Sequence, residues 1–427
     1  MSLWAPWSLR ELVADLESGA TSVQAALARS RARVATTEPV VRAWVGDDVD
    51  LPIPTIPLVP AGGRLRGVPF GVKDIIDVAG VPTRLGSARH DDAPAAAVDA
   101  AVVTAWRATG AVPVGKTVTA EFAFFTPGPT RNPAAPGHTP GSSSSGSAAA
   151  VAAGQVPLAI GTQTGGSTTR PASYCGIASL TTAPGRLGFD GVFAMSPTLD
   201  SHGVFAATVS DLALAWSAFT ATEDVGAGPG GPPRLLLWTA EPLGVVSPSM
   251  AAGLARAVED LRSAGAAVAR LPVDGLVAQL IAAHAVVLRH ELRTARAREL
   301  AVADELGERW TALRDQISAT SRADHASALT TIAAGRVELE AVLAGYDAVL
   351  GPGATCAAPA GLAVTGDPVL SLPWQALGLP AVGVPGVRDD AGLPLGLQLV
   401  ARDEPAALRC AVWAERHLRT STGPAGR

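Results

Sequence analysis

The sequence contains two lysines, Lys73 and Lys116, and every other one of its 33 Lys and Arg side chains is arginine. Arginine keeps its proton inside proteins, whereas a lysine that is removed from water can lose it. A chain that otherwise uses arginine has therefore kept an amine at two positions. Both lysines are candidates for chemistry that needs a neutral amine, although a solvated lysine without a function is the ordinary alternative.

Two stretches rich in serine and glycine could work with such an amine. The first, GSSSSGS at 141–147, lies between Pro-rich turns and an Ala-rich segment, so we interpret it as an ordered loop that enters a helix. The second, GTQTGGSTTRP at 161–171, follows an apolar strand, and its glycines allow backbone N–H groups to converge on one point. Such a nest, ending on Ser167, suits an oxyanion hole around a nucleophile.

A serine nucleophile needs a base, and no histidine is well placed for that role. The seven histidines form no HExxH motif or other metal-ligand spacing, and GxSxG and SxxK are absent. A Ser–His–Asp arrangement with His202 and Asp200 stays open, but the spacing does not favour it. A buried neutral lysine that acts through a second serine can also be the base.

Two glycine-rich motifs match nucleotide-binding patterns in the wrong context. Residues 110–117 (GAVPVGKT) fit the phosphate loop GxxxxGK[ST], but a helix precedes them, their middle is an apolar strand and Pro113 lacks an N–H. Gly226, Gly228 and Gly231 fit GxGxxG but run into prolines, which indicates a linker. Because the three cysteines are far apart and form no CxxC, the sequence predicts neither a metal site nor a cofactor.

Composition and charge exclude several classes of protein. A chain of 427 residues with 48% hydrophobic and 17% charged residues is neither disordered nor a coiled coil. A net charge of −5 disfavours a nucleic-acid partner, and no apolar run approaches the ~18 residues of a membrane span. Acidic residues near the amino terminus do not fit a signal peptide. We therefore expect a cytoplasmic protein that binds neither nucleic acid nor membrane.

Short apolar runs alternate with helical periodicities, which is typical of a layered α/β fold. Two helices are predicted within 8–45, the first ending at Gly19 and the second capped by Thr21 or Ser22. Further helices are predicted at 98–109, 148–153, through most of 248–344 and at 405–418. Strands are predicted at 67–77, 111–114, 156–161, 234–238 and in the final return of the chain, with a Pro-rich loop at 51–63 and a joint at 224–233.

Longer motifs in a fixed order make the chain resemble the amidase signature family. They are RGVPFGVKDIIDVAGVPT, VGKTVTAEFAFFTPGPTRNP, TPGSSSSGSAAAVAAG, LAIGTQTGGSTTRPASYCGI, SPTLDSHGVFAATVSDLAL, DPVLSLPWQALGLPAVGVP and GLPLGLQLVAR. The resemblance covers nearly the whole chain. It implies an α/β fold, namely an α/β/α sandwich with a mixed, mostly parallel central β-sheet, and one domain over residues 1–427.

The resemblance also implies the roles of particular residues. GVKD places the family's base on Lys73, and GGS places its nucleophile on Ser167. The serine that bridges them, which lies on a cis peptide, falls at Ser143 when the loop is counted from Ser147, with Ser144 as the alternative. The oxyanion hole would use the backbone N–H groups of Thr164, Gly165, Gly166 and Ser167.

Three residues depart from the family patterns GTDTGGSIR and SPTxDxxG. Gln163 replaces the usual Asp, Arg170 follows Thr169 at the usual Arg position, and His202 replaces an apolar residue or Thr. The departures at Gln163 and Arg170 concern the support of the triad, not the triad itself. The same two departures resemble free-standing bacterial amidases more than the transamidosome subunit. Lys116 matches a family position that is usually structural.

The resemblance divides the domain and locates its substrate pocket. Helices are expected at 1–63, the signature core at 64–223, a linker and helical substrate-variable region at 224–345, and a return to the sheet at 346–427. Phe124, Thr126 and Ser142 are the candidate substrate-binding residues. The pocket is expected to be built by residues 122–129, 277–344 and 351–359, and the scarcity of charge near the loop ends of these segments favours a neutral, partly apolar amide.

The sequence thus predicts a hydrolase that cleaves an amide carbon–nitrogen bond of a small molecule through an acyl-enzyme on Ser167, with proton transfer through Ser143 to Lys73. One alternative is a carbamate- or ester-cleaving enzyme with the same triad. Another is an A-subunit-like glutaminase component of a tRNA-dependent amidotransferase. No metal and no cofactor are needed, and the substrate and a homodimeric state are left open.

Overall fold

The apolar runs of the sequence form the strands of a mixed sheet. The computed structural model describes residues 2–46, 63–124, 126–227 and 230–418. The ten strands in these residues are β1 (Pro69–Lys73), β2 (Val112–Thr117), β3 (Leu158–Gln163), β4 (Ala178–Thr181), β5 (Ser201–Ala206), β6 (Arg234–Leu237), β7 (Ala267–Arg270), β8 (Ala348–Pro352), β9 (Ala381–Arg388) and β10 (Pro394–Val400). They lie side by side in the order β2-β1-β3-β5-β4-β9-β10-β8-β6-β7.

The two ends of this sheet are parallel and its centre is antiparallel. β2, β1 and β3 pair in parallel at one end, and β8, β6 and β7 do so at the other. Every pairing from β3 through β5, β4, β9 and β10 to β8 is antiparallel. The predicted mixed α/β sheet is confirmed. Its parallel pairing is concentrated at the ends, because short returns such as the β9–β10 hairpin reverse the central strands.

Helices flank the sheet. In the described residues they are α1 (Leu9–Ser18), α2 (Val23–Val41), α3 (Ala101–Ala108), α4 (Ser145–Ala152), α5 (Thr169–Cys175), α6 (Val209–Thr220), α7 (Pro248–Ser263), α8 (Asp274–Ala295), α9 (Ala297–Ala301), α10 (Ala303–Leu306), α11 (Glu308–Ser318), α12 (Arg322–Val342), α13 (Leu372–Leu377) and α14 (Glu404–His417). No helix among the described residues has the length and apolar character needed to cross a membrane.

Local sequence signals account for several helix ends. Ser8 Oγ accepts the N–H of Glu11 at the start of α1, and Gly19 ends that helix with φ 75°. Ser22 caps α2 in the same way. All eight residues of the Ala-rich α4 are buried, and small side chains let this helix pack closely against β3.

Some elements differ from the sequence-based expectations. The strand expected at 111–114 extends over Val112–Thr117, so the GAVPVGKT motif forms β2 and not a phosphate loop. Ser201–Ala206 and Ala267–Arg270 are strands that were not predicted, the second inside the mainly helical region. Except for its last residue, the Pro-rich loop expected at 51–63 lies outside the described residues. The single domain stays a prediction, supported by a sheet whose strands come from residues 69 to 400.

Parallel pairing places the chemistry at one edge of the sheet. β1 pairs with β2 on one side and β3 on the other, and all three run in the same direction. Lys73 and Gln163 are the last residues of β1 and β3, so the segments that leave these strands emerge at the same edge.

Candidate active site

Lys73 is fully buried at the carboxyl end of β1, where it contacts two hydroxyl groups. Its Nζ donates to Ser143 Oγ at 2.6 Å and to Thr162 Oγ1 at 3.0 Å. The neighbouring Asp74 does not pair with it. Asp74 Oδ1 instead lies 2.9 Å from Nζ of Lys116, the other buried lysine. Consecutive residues of an extended chain point to opposite faces. This keeps Asp74, and the Lys116 amine paired with it, away from the Lys73 amine.

The surroundings of Lys73 favour the neutral amine. Burial lowers the pKa of Lys73 to about 7, and the negative charge of Asp200 opposes that shift. A lysine with such a pKa is partly deprotonated at neutral pH and can accept a proton.

Neighbouring serines of the loop at 141–147 have side chains that contact different partners. The peptide bond between Ser142 and Ser143 is cis. Ser143 Oγ faces Lys73, whereas Ser144 Oγ donates to the carbonyl oxygen of Thr162 at 3.2 Å. The structure therefore brings Ser143, and not Ser144, against the amine.

Ser167 lies half-buried in the turn between β3 and α5. Its carbonyl oxygen accepts the Ser144 N–H at 3.4 Å, so the two serine-containing loops touch. In the part of the chain that the structure describes, the N–H groups of Gly165, Gly166 and Ser167 donate no hydrogen bond. These free donors, beside a half-buried hydroxyl, are the arrangement that an oxyanion hole requires.

Gln163, one of the departures from the family pattern, holds this turn. Its Oε1 accepts the N–H groups of Thr168 at 2.9 Å and Thr169 at 3.1 Å. Its Nε2 donates to Oε1 of Gln375 on α13 at 3.2 Å. Gln375 in turn donates to Ser201 Oγ at 2.7 Å. A buried chain of amides thus supports the first turn of α5.

Thr164, the first residue of the predicted oxyanion hole, is held at two points. Its Oγ1 donates to Asp200 Oδ1 at 2.6 Å, and its carbonyl oxygen lies 2.7 Å from Nε2 of His284 on α8. Asp200 also accepts two backbone N–H groups, and burial raises its pKa to about 6. Sequence reasoning missed the roles of Gln375, Asp200 and His284, because nothing near them in the sequence indicates a partner.

Arg170, the second departure, is a buried cation next to the same loops. It is 6% exposed, and its Nη2 donates to the carbonyl oxygen of Ser142 at 2.8 Å. Its Nε and Nη1 donate no hydrogen bond to any of the described residues, and Nη1 is 3.5 Å from where a Cβ on Gly166 would lie. His202, the third departure, has its Nε2 3.2 Å from the carbonyl oxygen of Gly188.

The candidate substrate-binding residues are in different surroundings. Ser142 is buried at the cis peptide. Thr126 donates to the Glu121 carboxylate at 3.1 Å, and Phe124 packs against the largest hydrophobic cluster. Neither of these two contacts reaches Lys73, Ser143 or Ser167. The described residues contain no group of three or more His, Cys, Asp or Glu side chains that could hold a metal ion.

Proteins similar to this chain include amidotransferase subunits and a subunit of a carboxybiuret hydrolase. The A subunit of glutamyl-tRNA(Gln) amidotransferase from Treponema pallidum is 47% identical over 163 residues, 37% of this chain and 32% of that protein. AtzE of Pseudomonas sp. (strain ADP), which belongs to 1-carboxybiuret hydrolase, is 35% identical over 234 residues, 51% of this chain and 50% of that protein. The chain thus matches about a third to a half of the length of these curated relatives.

Solved structures match over nearly their whole length. The crystal structure of an amidase superposes with a TM-score of 0.83 at 26% identity, covering 96% of this chain and 100% of that one. The peptide amidase PAM, bound to the competitive inhibitor chymostatin, superposes with a TM-score of 0.78 at 26% identity, covering 97% and 99%. The fold is therefore that of the α/β amidases.

A family model described as Amidase matches residues 59–404. The chain belongs to the amidase family, whose members are hydrolases of carbon–nitrogen bonds. The resemblance drawn from the sequence motifs is confirmed.

Proposed function

We propose that this protein hydrolyses an amide bond of a small molecule through an acyl-enzyme on Ser167. The observation that carries the proposal is the 2.6 Å contact between Nζ of the buried Lys73 and Oγ of Ser143. It joins an amine with a pKa of about 7 to a hydroxyl in a loop that touches the Ser167 backbone. Membership of the amidase family supports the reaction class.

The proposed reaction has two halves. Ser167 Oγ bonds to the carbonyl carbon while its proton passes to Ser143 and the Ser143 proton passes to Lys73. The carbonyl oxygen becomes an oxyanion that the free N–H groups of residues 165–167 stabilise. As the carbon–nitrogen bond breaks, the relay returns a proton to the departing amine. Water then attacks the acyl group by the same relay, which releases a carboxylic acid and restores Ser167.

A fluorophosphonate probe tests this proposal. The probe should add to the peptide that contains Ser167, and Ser167→Ala should abolish both labelling and turnover of a panel of amides, anilides, esters and carbamates. Labelling at Ser196 or Ser201 with Ser167 unmodified would contradict the assignment. The panel also separates an amidase from the ester- and carbamate-cleaving alternatives.

The surroundings of Arg170 favour a substrate that carries a carboxylate, in contrast to the neutral substrate expected from the sequence. Within the part of the chain that the structure describes, two nitrogens of this buried guanidinium make no hydrogen bond, and the group lies next to Gly166. The relative AtzE is a subunit of 1-carboxybiuret hydrolase, and that name indicates a substrate with a carboxyl group. Arg170→Gln should raise the KM of a dicarboxylic monoamide about ten-fold more than the KM of its methyl ester. Equal changes in the two KM values would favour the neutral substrate.

The similarity to the A subunit of glutamyl-tRNA(Gln) amidotransferase supports the glutaminase alternative. That alternative predicts release of ammonia from glutamine only in a complex with partner proteins, whereas the proposed amidase acts alone. The cytoplasmic location and a homodimer stay predictions, which cell fractionation and gel filtration would test.

A further inference from the structure

We infer that His284, on the long helix α8, is a positioning residue that orients the Gly165 N–H of the oxyanion hole through its hydrogen bond to the Thr164 carbonyl. This inference rests on the proposed function, because it concerns the site at which the oxyanion would form. It assigns a role to a part of the chain for which the sequence predicted only variable substrate contacts.

The contact is short, buried and directional. His284 is 1% exposed, and its Nε2 lies 2.7 Å from the Thr164 carbonyl oxygen. A carbonyl oxygen only accepts hydrogen bonds, so Nε2 carries the hydrogen. Burial lowers the pKa of His284 to about 4, which keeps the imidazole neutral with a single N–H at ordinary pH.

The geometry of the peptide bond transmits this contact to the oxyanion hole. The bond between Thr164 and Gly165 is trans, so its C=O and N–H point in opposite directions within one plane. A donor that fixes the direction of the Thr164 carbonyl therefore fixes the Gly165 N–H as well. Hydrogen bonding to the carbonyl also polarises the amide and makes its N–H a stronger donor.

Hydrogen bonds of Asp200 and Glu291 add further constraints near this peptide unit. Thr164 Oγ1 binds Asp200, whose carboxylate accepts the N–H groups of Met195 and Ser196. Glu291, also on α8, accepts the Thr198 N–H at 3.0 Å. α8 thus contacts residues 164–167, the oxyanion loop, directly through His284 and supports the segment that carries Asp200.

Two substitutions at His284 separate the donor from the bulk of the side chain. His284→Gln keeps an N–H donor near the position of Nε2, whereas His284→Asn keeps an amide that is too short to reach the Thr164 carbonyl. His202→Asn is the matched control. His202 is also buried, has a pKa lowered to about 4 and bonds a backbone carbonyl, that of Gly188, outside the oxyanion loop.

The measurements are kcat and KM for a short-chain acyl p-nitroanilide, the rate of fluorophosphonate labelling at Ser167, and the melting temperature. His284→Asn should lower kcat and the labelling rate about 10- to 100-fold with KM within about two-fold, somewhat less than the loss of one oxyanion donor. His284→Gln should stay within about five-fold of the native kcat. His202→Asn should change the melting temperature as much as His284→Asn but leave kcat within about three-fold.

Equal kcat values for the Asn and Gln variants, or an equal loss of kcat in His202→Asn, would overturn the inference. If His284→Asn fails to fold, His284→Leu, which fills the apolar surroundings without a donor, provides the same comparison with His284→Gln. Failure of the proposed function has a different signature, since the native protein itself would then show no labelling at Ser167.

Discussion

At the scale of single residues, the two lysines occupy opposite electrostatic surroundings although both are buried. Lys116 faces the Asp74 carboxylate at 2.9 Å, which stabilises an ammonium. Lys73 faces two hydroxyls, so burial is not offset by a neighbouring carboxylate within hydrogen-bond distance. The amine that the proposed mechanism needs in its neutral form is therefore the one at Lys73.

Substitution of the two lysines by arginine should separate these roles. Lys73→Arg and Lys73→Ala should each lower kcat by a factor on the order of 10³, because neither side chain can accept the serine proton. Lys116→Arg keeps a cation beside Asp74 and should retain kcat within about ten-fold. Substantial steady-state activity in Lys73→Arg would show that a fixed positive charge is sufficient and that the base lies elsewhere.

Alanine substitutions at Ser143 and Ser144 test the bridging residue. Ser143→Ala should remove nearly all amide turnover, because of these two serines it is Ser143 whose Oγ contacts Lys73 Nζ. Ser144→Ala loses a hydrogen bond to the Thr162 carbonyl and should retain most activity, with a loss of about 1 kcal/mol in stability. The reverse order of kcat in the two variants would move the bridge to Ser144.

The acid limb of the pH–rate profile should report Lys73. With a Lys73 pKa of about 7, kcat/KM should fall about ten-fold per pH unit below 7, as the amine takes up a proton. Asp200 raises that pKa, so Asp200→Asn should move the limb to lower pH while the amide still accepts from Thr164. An upward shift in the variant would contradict the assignment of the limb to Lys73.

At the scale of elements, glycines on the central strands let the two serine-containing loops approach the sheet. A Cβ on Gly161 of β3 would lie 2.6 Å from Ser144 Oγ, and a Cβ on Gly203 of β5 would lie 2.2 Å from Thr168 Oγ1. Both distances are far below van der Waals contact. Adjacent strands must therefore carry glycine where the serine loop and the Ser167 turn cross them.

Gly203→Ala should displace Thr168 and, with it, the adjacent Ser167. We expect a loss of stability of about 1–3 kcal/mol from overpacking and a fall in kcat, since the nucleophile moves with its turn. Gly137→Ala is the control, because a Cβ there has no atom within 4 Å and φ is not positive. Thermal melts and steady-state kinetics on both variants measure the effects; native kcat in Gly203→Ala would show that the turn is not constrained by β5.

At the scale of the whole molecule, a single sheet brings together side chains that are far apart in the chain. One of them is the Lys73 amine, whose protonated form is destabilised by burial. Burial lowers the pKa of Lys73 from 10.5 to about 7, so between these pH values the unfolded chain binds more protons than the folded one. The free energy of unfolding therefore rises with pH across this window.

Lys73→Met should remove this pH dependence and leave a more stable protein at neutral pH. In the native protein, Lys73 should raise the free energy of unfolding by up to about 1.4 kcal/mol per pH unit between pH 7 and 10.5. The variant's free energy of unfolding should therefore exceed the native value by less as the pH rises. Urea unfolding of both proteins at several pH values measures the difference. A difference that stays constant with pH would mean that Lys73 has the same pKa in both states.

The sequence by itself determined the residues that could do chemistry and the strands and helices next to them. GVKD ends β1, GTQTGGS continues β3 into a turn, and GSSSSGS begins α4, because each signal lies within a few neighbouring residues. The family motifs extended this reading to the α/β amidase fold. The contact of Lys73 with Ser143, and not Ser144, agrees with the register counted from Ser147.

Only the tertiary structure decided which distant groups support that site. Gln163 meets Gln375 across 212 positions, and His284 meets Thr164 across 120. The antiparallel centre and the strand at Ser201–Ala206 were likewise absent from the sequence-based reading. Periodicity and turn residues report on local conformation, whereas such contacts depend on how strands and helices pack, and no local pattern records that packing.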